Sequence, residues 1–204
     1  MKNYVMALRY VTGLLAINMA LTLVGFAQAS QPAGQPDAVK RMRPSAGDPA
    51  TVERMVTEWT RAKAFTKEYL DAMPADGITF TPSPDIRTFG QQMLHLTSAH
   101  FGFASQAAGV KPPAYDLRNL EKAKEYENKE ALTKIVMESY DFIIEAVKNL
   151  DAAKYGEKFK LFGAFDTTRL MAFDKAFEHQ THHRGQTTIY LRMKGVKPPA
   201  EKLF

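Results

Sequence analysis

Three of the chain's five histidines stand close together near its carboxyl end, at His179, His182 and His183. The surrounding residues predict a helix, on which the i,i+4 pair His179 and His183 projects from one face, about 40° apart. His182 lies at the edge of that face, so helix geometry favours the 179/183 pair without excluding 179/182. Protein zinc sites take three or four protein ligands, so this pair predicts half of a metal site.

The residues next to this histidine pair limit the kinds of metal site that it can form. Glu178 lies about 100° from His179, so it does not face a metal as the glutamate of an HExxH zinc protease does. Gln186, one turn beyond the pair, is the candidate for holding a ligand by a hydrogen bond, with a packing role as the alternative. Arg184 lies on another face and is expected to be solvated or ion-paired, and Gly185 to allow close helix packing. No other carboxylate is placed well enough to be identified as a general base.

The third ligand must come from elsewhere in the chain. The two remaining histidines, His95 and His100, lie on one predicted helix, and sites assembled from facing helices are normal in helix bundles. His100 falls in the middle of an apolar arc, which favours it as the buried residue, whether as a ligand or only as a hydrogen-bonded core histidine. His95 falls on a small, polar strip. Periodicity alone leaves the choice open.

Four segments with helical apolar spacing supply the elements that position these residues. Capping residues begin the first, second and fourth of these segments, and glycine or proline follows their ends. The third segment has the longest apolar stripe. The predicted bounds are Pro49 (after an Asp48 N-cap) to Met73, the Thr88–Gln91 capping box to Ala108, Asn128 to Leu150, and Asp166 (as N-cap) to Lys194.

The connections contain little strand pattern. Pro82 and Pro84 exclude a central strand between the first two helices. Residues 155–164 alternate apolar and polar residues between glycines, which fits either an irregular loop or a short hairpin. The predicted fold class is therefore all-α, an antiparallel four-helix bundle preceded by a signal peptide.

The amino terminus has the pattern of an export signal. Lys2 and Arg9 flank an apolar run that leads to a small-x-small site ending at Ala29, which predicts a signal peptide over residues 1–29, cleaved after Ala29, rather than a retained anchor. Residues 30–49, rich in Pro, Gly, Ala and Gln, predict a flexible linker. Residues 50–204 are the predicted bundle domain, and the predicted location is periplasmic or secreted.

Charge and cysteine content exclude several classes of protein. The full sequence has a formal net charge of +5, and residues 1–29 hold two of the basic residues and no acid. The remaining excess is too small to indicate a nucleic-acid partner or a membrane surface. The chain has no cysteine, so neither a disulfide framework nor a lipid-anchored cysteine forms.

These motifs together resemble the DinB superfamily, four-helix bundle proteins related to the DNA-damage-inducible protein DinB. The likeness rests on His95-Leu96 on the second helix, on the His179-x-x-x-His183-Arg184-Gly185-Gln186 motif on the fourth, and on the ending Tyr190-Leu191-Arg192-x-x-Gly195-Val196-x-Pro198-Pro199. It covers essentially residues 50–200.

The resemblance implies one divalent metal, zinc or nickel, held by His95, His179 and His183, against the preference of periodicity for His100. The family's known enzymes are largely transferases and isomerases that use low-molecular-weight thiols such as bacillithiol or mycothiol, in which the metal favours the thiolate. We therefore expect an exported metal-dependent transferase or hydrolase acting on a small molecule. The alternative is a non-catalytic metal- or ligand-binding bundle, as a monomer or homodimer, whose site is structural.

Overall fold

The computed structural model describes residues 46–203 of the chain. The predicted signal peptide and most of the predicted linker lie outside these residues, and both stay predictions. Within residues 46–203 no helix combines the length and apolarity that a membrane crossing requires.

Four long helices make up most of the described chain. The predicted N-caps of the first two helices, Asp48 and Thr88, are confirmed, and Asn128 caps the third. The side chains of all three accept hydrogen bonds from backbone amides of the first turn. Thr88 and Gln91 form the full reciprocal capping box. The helices are α1 (Pro49–Ala72), α2 (Phe89–Ala108), α3 (Lys129–Asn149) and α4 (Arg169–Met193).

The fourth helix begins later than predicted. Residues 155–168 include the hairpin of β1 (Lys158–Leu161) and β2 (Phe165–Thr168), so the hairpin alternative is correct and the fold is mostly rather than wholly α-helical. Asp166 pairs with Lys160 across this hairpin, and the prediction of Asp166 as N-cap was wrong because it lies within β2 and the helix begins only at Arg169. Thr168 caps α4 instead, accepting from the amide of Met171 at 3.2 Å.

Each helix packs against two others, α1 and α2 both against α3 and α4. α1 and α3 run antiparallel, since Lys63 pairs with Asp141 while Lys129 reaches the carbonyl of Met73. α2 and α4 are also antiparallel, since Gln92 bonds His183 and the carbonyl of Ala107 bonds Arg169.

The other two pairs of neighbours are parallel. Trp59 contacts Phe177 and Tyr69 bonds Thr188, so α1 and α4 run the same way. α2 and α3 are parallel as well, because α2 is antiparallel to α4 and α3 is antiparallel to α1, which runs with α4; the bond between His100 and Ser139 joins them near mid-helix. The order is therefore up-down-down-up, so the predicted antiparallel four-helix bundle has two antiparallel pairs of neighbours and two parallel ones. The long segment between α2 and α3 makes it feasible, because parallel neighbours need a connection that spans a whole helix length.

The core is built from large side chains on all four helices and the connections. Trp59, Tyr140, Tyr155, Phe89, Phe101 and Phe173 are among the largest fully buried residues. Ala172 and Ala176, small residues one to two turns before the histidines on α4, are also fully buried. They pack in this core, which holds α2 and α4 at a fixed distance and so positions the histidines between them.

Candidate metal centre

His95 on α2 meets His179 and His183 on α4. One ligand nitrogen from each of the three imidazoles lies within 4.8 Å of the others. The ring centroids of His95 are 5.0 Å from His179 and 4.5 Å from His183, and those of the α4 pair are 4.4 Å apart. Neutral imidazole is a common ligand of zinc and other transition metals. The helices thus bring together the three residues that the sequence predicted as ligands.

A chain of hydrogen bonds fixes the ring of His183. Its Nδ1 lies 2.8 Å from Oε1 of Gln92, an acceptor, so Nδ1 carries the proton and donates it. The amide of Gln92 donates in turn to the hydroxyl of Tyr190 at 3.3 Å, and that hydroxyl donates to the carbonyl of Arg87 at 2.7 Å. Since Nδ1 is occupied, Nε2 is the nitrogen of His183 that remains for a metal.

A carboxylate orients the ring of His95 in the same way, by accepting a hydrogen bond from Nδ1. Nδ1 of His95 donates to Glu121 at 2.6 Å, and Arg87 donates to the other carboxylate oxygen of Glu121 from Nε at 2.6 Å. Burial raises the pKa of Glu121, but its hydrogen bonds with Arg87 and His95 outweigh this, and the pKa lies below its usual value. With the carboxylate behind the imidazole, Nε2 of His95 is the nitrogen that remains to bind a metal. This arrangement is typical of metal-ligating histidines.

His179 completes the cluster without a protein partner. Its Nδ1 is buried and has no hydrogen bond within residues 46–203. Burial, together with the neighbouring His95, lowers the pKa of His179 to about 4, and burial with the neighbouring His179 and His95 lowers the pKa of His183 to about 3. Both rings are therefore neutral near pH 7, the form in which imidazole ligates a metal.

This donor set fits a divalent cation. An unpartnered buried nitrogen, two neighbouring neutral imidazoles and two rings oriented by Glu121 and Gln92 match the requirements of a three-histidine site. His95 is about one-quarter exposed, so the cluster is open to solvent on one side. Three protein ligands with an open side are typical of catalytic rather than closed structural zinc sites.

Comparison with known proteins identifies the family of this chain. The family model of the DinB family matches residues 47–203. The chain belongs to the DinB family. A DinB-like protein from Bacillus cereus ATCC 10987 has a similar structure, with a TM-score of 0.62 and 19% identity over 74% of this chain and 97% of that one. A DinB-like protein from Bacillus subtilis gives 0.57 and 16% over 74% and 96%. No curated protein matches the chain.

The remaining α2 histidine is separate from the DinB cluster. His100 is fully buried, donates from Nδ1 to the hydroxyl of Ser139 at 2.9 Å, and packs edge-to-face against Trp59 and Tyr140. Burial, with a smaller effect from His179, lowers its pKa to about 3. Periodicity correctly favoured His100 as buried, and the structure gives it the role of a hydrogen-bonded core histidine.

Three expectations about the α4 motif do not match the structure. Gln186 lies 3.0 Å from Nε2 of the exposed His182, and two imidazoles of the cluster donate to Gln92 and Glu121 instead. Gly185 is exposed, and a Cβ added there would meet nothing within 4 Å, so the prediction of close packing was wrong. Arg184 is buried and makes no ion pair within residues 46–203, so it is neither solvated nor ion-paired.

The two supporting residues that the sequence reasoning missed differ in how visible they were. Gln92 stands three residues before His95, so the helical period places both on one side of α2. That spacing was a usable signal. Glu121 lies in a short 3-10 turn, Leu120–Lys122, within the connection between α2 and α3. No periodicity relates it to the histidines, and only the folded path of that connection brings it to His95.

Proposed function

We propose that this DinB protein binds one divalent metal, zinc or nickel, through His95, His179 and His183, and acts as a metal-dependent transferase or hydrolase on a small molecule. The observation that carries the proposal is the convergence of three imidazole nitrogens within 4.8 Å, two of them on rings already oriented by other side chains. Ordering two rings in this way costs conformational freedom, and a metal shared by the rings would explain it.

The metal would supply Lewis-acid polarisation of a substrate oxygen or sulfur at the open side of the cluster. The protein's own residues orient the ligands and shape the approach. Glu121 and Gln92 hold two rings in one tautomer. Phe103, 6.3 Å from the ring of His179 and 5.0 Å from that of Phe162, forms an apolar edge beside the cluster. That edge suits a small substrate with an apolar part.

One observation favours the non-catalytic alternative. Glu121 is the acid that touches this cluster, and its oxygens are engaged by Arg87 and His95. It is therefore poorly placed to move a proton as a general base. This leaves chemistry that needs no separate carboxylate base, such as thiol transfer, or a role confined to binding. The proposal of export rests on the sequence of residues 1–29. A homodimer stays an expectation.

Metal content tests the site. Elemental analysis of the purified protein is expected to find about one metal per chain, lost in the His179→Ala/His183→Ala double variant and in His95→Ala. His182→Ala is the matched control, since His182 is exposed on the same turn of α4. Wild-type protein without metal after purification free of chelators and supply of zinc or nickel, or full metal in His95→Ala, would contradict the site.

Activity needs a separate measurement. We expect thiol-transfer or ester substrates to be turned over by the metal-loaded protein and not by the double variant. A metal-loaded, folded protein without turnover of either class would favour the binding role over the enzyme.

A further inference from the structure

Among residues 46–203, the buried guanidinium of Arg184 has no acidic partner. Arg184 is 6% exposed, and its Cζ lies 4.6 Å above the ring of Phe65. Nη1 donates to Oε1 of Gln180 at 2.9 Å. Within residues 46–203 no carboxylate oxygen comes within 4.0 Å of the guanidinium. A buried charge is normally paired, because burial without a counter-charge costs several kcal/mol, roughly.

The groups behind Arg184 are all neutral. Oε1 of Gln180 also accepts from the hydroxyl of Tyr140 at 2.9 Å, and that hydroxyl lies 2.6 Å from Thr66. Burial raises the pKa of Tyr140 to about 12, so the phenol carries no negative charge. Burial also lowers the pKa of Arg184, but a guanidinium keeps its proton in proteins. Within the described part of the chain, the positive charge is therefore compensated by dipoles and an aromatic face.

Arg184 lines a large cavity. The space measures about 900 Å³ and is bounded by α1, α4 and the segment 197–203. A volume of this order accommodates a small organic ligand. Its apolar walls include Phe65, Tyr69, Phe177, Pro198 and Pro199.

A second arginine in the same wall also has unused donor capacity. Arg61 bonds Glu58 and the carbonyl of Lys202, but its Nε is buried without a partner. Arg192 and Lys197 line the cavity as well, and Glu201 is the one acid among the lining residues that the structure describes. The cavity therefore combines a positive potential with apolar walls.

We propose that this cavity binds a small organic carboxylate, with the carboxylate on Arg184 and Arg61 and the apolar body along the aromatic and proline walls. The planar fork of a guanidinium matches the two oxygens of a carboxylate. Arg184 is the one fully buried cation among the described lining residues. Together with the apolar walls it suits a singly charged amphipathic acid better than a doubly charged phosphate. Arg184 lies about 140° around α4 from His179, so the site is distinct from the metal centre.

Calorimetric titration of the purified protein with octanoate and benzoate tests the proposal. Octanol, benzyl alcohol and inorganic phosphate are the comparison probes. Two variants address the site: Arg184→Lys keeps the charge but loses the fork, and Arg61→Gln changes a residue at the less buried edge. Lys148→Gln, an exposed residue on α3, removes the same unit of charge elsewhere.

We expect saturable binding of at least one carboxylate, weaker by about tenfold or more in each arginine variant and for the neutral analogue. Lys148→Gln should bind like wild type. Circular dichroism establishes folding of each variant, and if Arg184→Lys does not fold, Arg61→Gln carries the test. No saturable carboxylate binding up to about 10 mM, binding unchanged in folded Arg61→Gln, or binding of phosphate alone would overturn the proposal. The metal content of the same samples shows separately whether the histidine site is intact.

Discussion

Replacing Gln92 by leucine should weaken metal binding without removing a ligand. Gln92 is 4% exposed and is the acceptor that holds Nδ1 of His183 at 2.8 Å. Leucine of similar volume removes this acceptor and the link to Tyr190, and leaves a buried N–H unsatisfied. Loss of such an orienting partner typically costs 10–100-fold in metal affinity, about 1.4–2.7 kcal/mol.

Gln186→Leu is the matched control, because it makes the same change one turn beyond His183. Its amide contacts His182 rather than the cluster, so the metal affinity should change by less than about twofold. The assay is competition for zinc with a chromophoric chelator at fixed pH, for wild type and both variants.

Stability must be measured beside affinity. An unsatisfied buried donor costs about 1–3 kcal/mol, so urea unfolding of the metal-free proteins separates a weaker fold from a weaker site. The reasoning is refuted if folded Gln92→Leu binds zinc as tightly as wild type. It is also refuted if Gln186→Leu proves the more damaging variant, which would restore the role that helix spacing assigned to Gln186.

Two further predictions concern stability of the metal-free protein. The pKa of His100 is about 3 in the fold, against 6.5 for the free side chain. Below pH 6.5 the unfolded chain therefore binds a proton that the folded chain does not, so the free energy of unfolding decreases as the pH falls. Between pH 7 and pH 5 this amounts to about 2 kcal/mol, so wild type should lose that much more than His100→Gln in urea unfolding; equal losses would contradict the buried neutral ring. Thr88→Ala should cost about 1 kcal/mol through loss of the α2 cap, whereas Thr57→Ala, exposed within α1, should cost nothing measurable in thermal unfolding.

Sequence periodicity predicted the helices where one apolar stripe meets one core. α3 illustrates this, because its stripe faces the core along the whole helix and its predicted bounds, Asn128 to Leu150, agree with the structure within one residue at each end. Local chemistry also predicted the Thr88–Gln91 box. The start of α4 was missed because the hairpin residue Asp166 and the true cap Thr168 are both good capping residues. Only strand pairing distinguishes them.

The arrangement of the helices was less accessible. The parallel packing of α2 on α3 depends on the route of the connection between them, and no local propensity encodes that route. The same connection carries Glu121 to His95. For this reason the choice between His95 and His100 needed the family resemblance, since periodicity reports burial and does not report which partner faces a residue.

α4 departs from the usual pattern of a core helix, and the departure coincides with both proposed sites. Its buried residues include four polar ones, Gln180, His183, Arg184 and Thr187. Gln180 and Thr187 have protein hydrogen bonds that account for their burial. His183 is bonded at Nδ1 and turns its other nitrogen to the cluster beside α2, while Arg184 faces α1 with an unbalanced charge. Natural sequences violate the rules of core composition mainly at functional sites. A helix selected only for packing would carry apolar residues at these two positions, so a ligand on each side of α4 explains both choices.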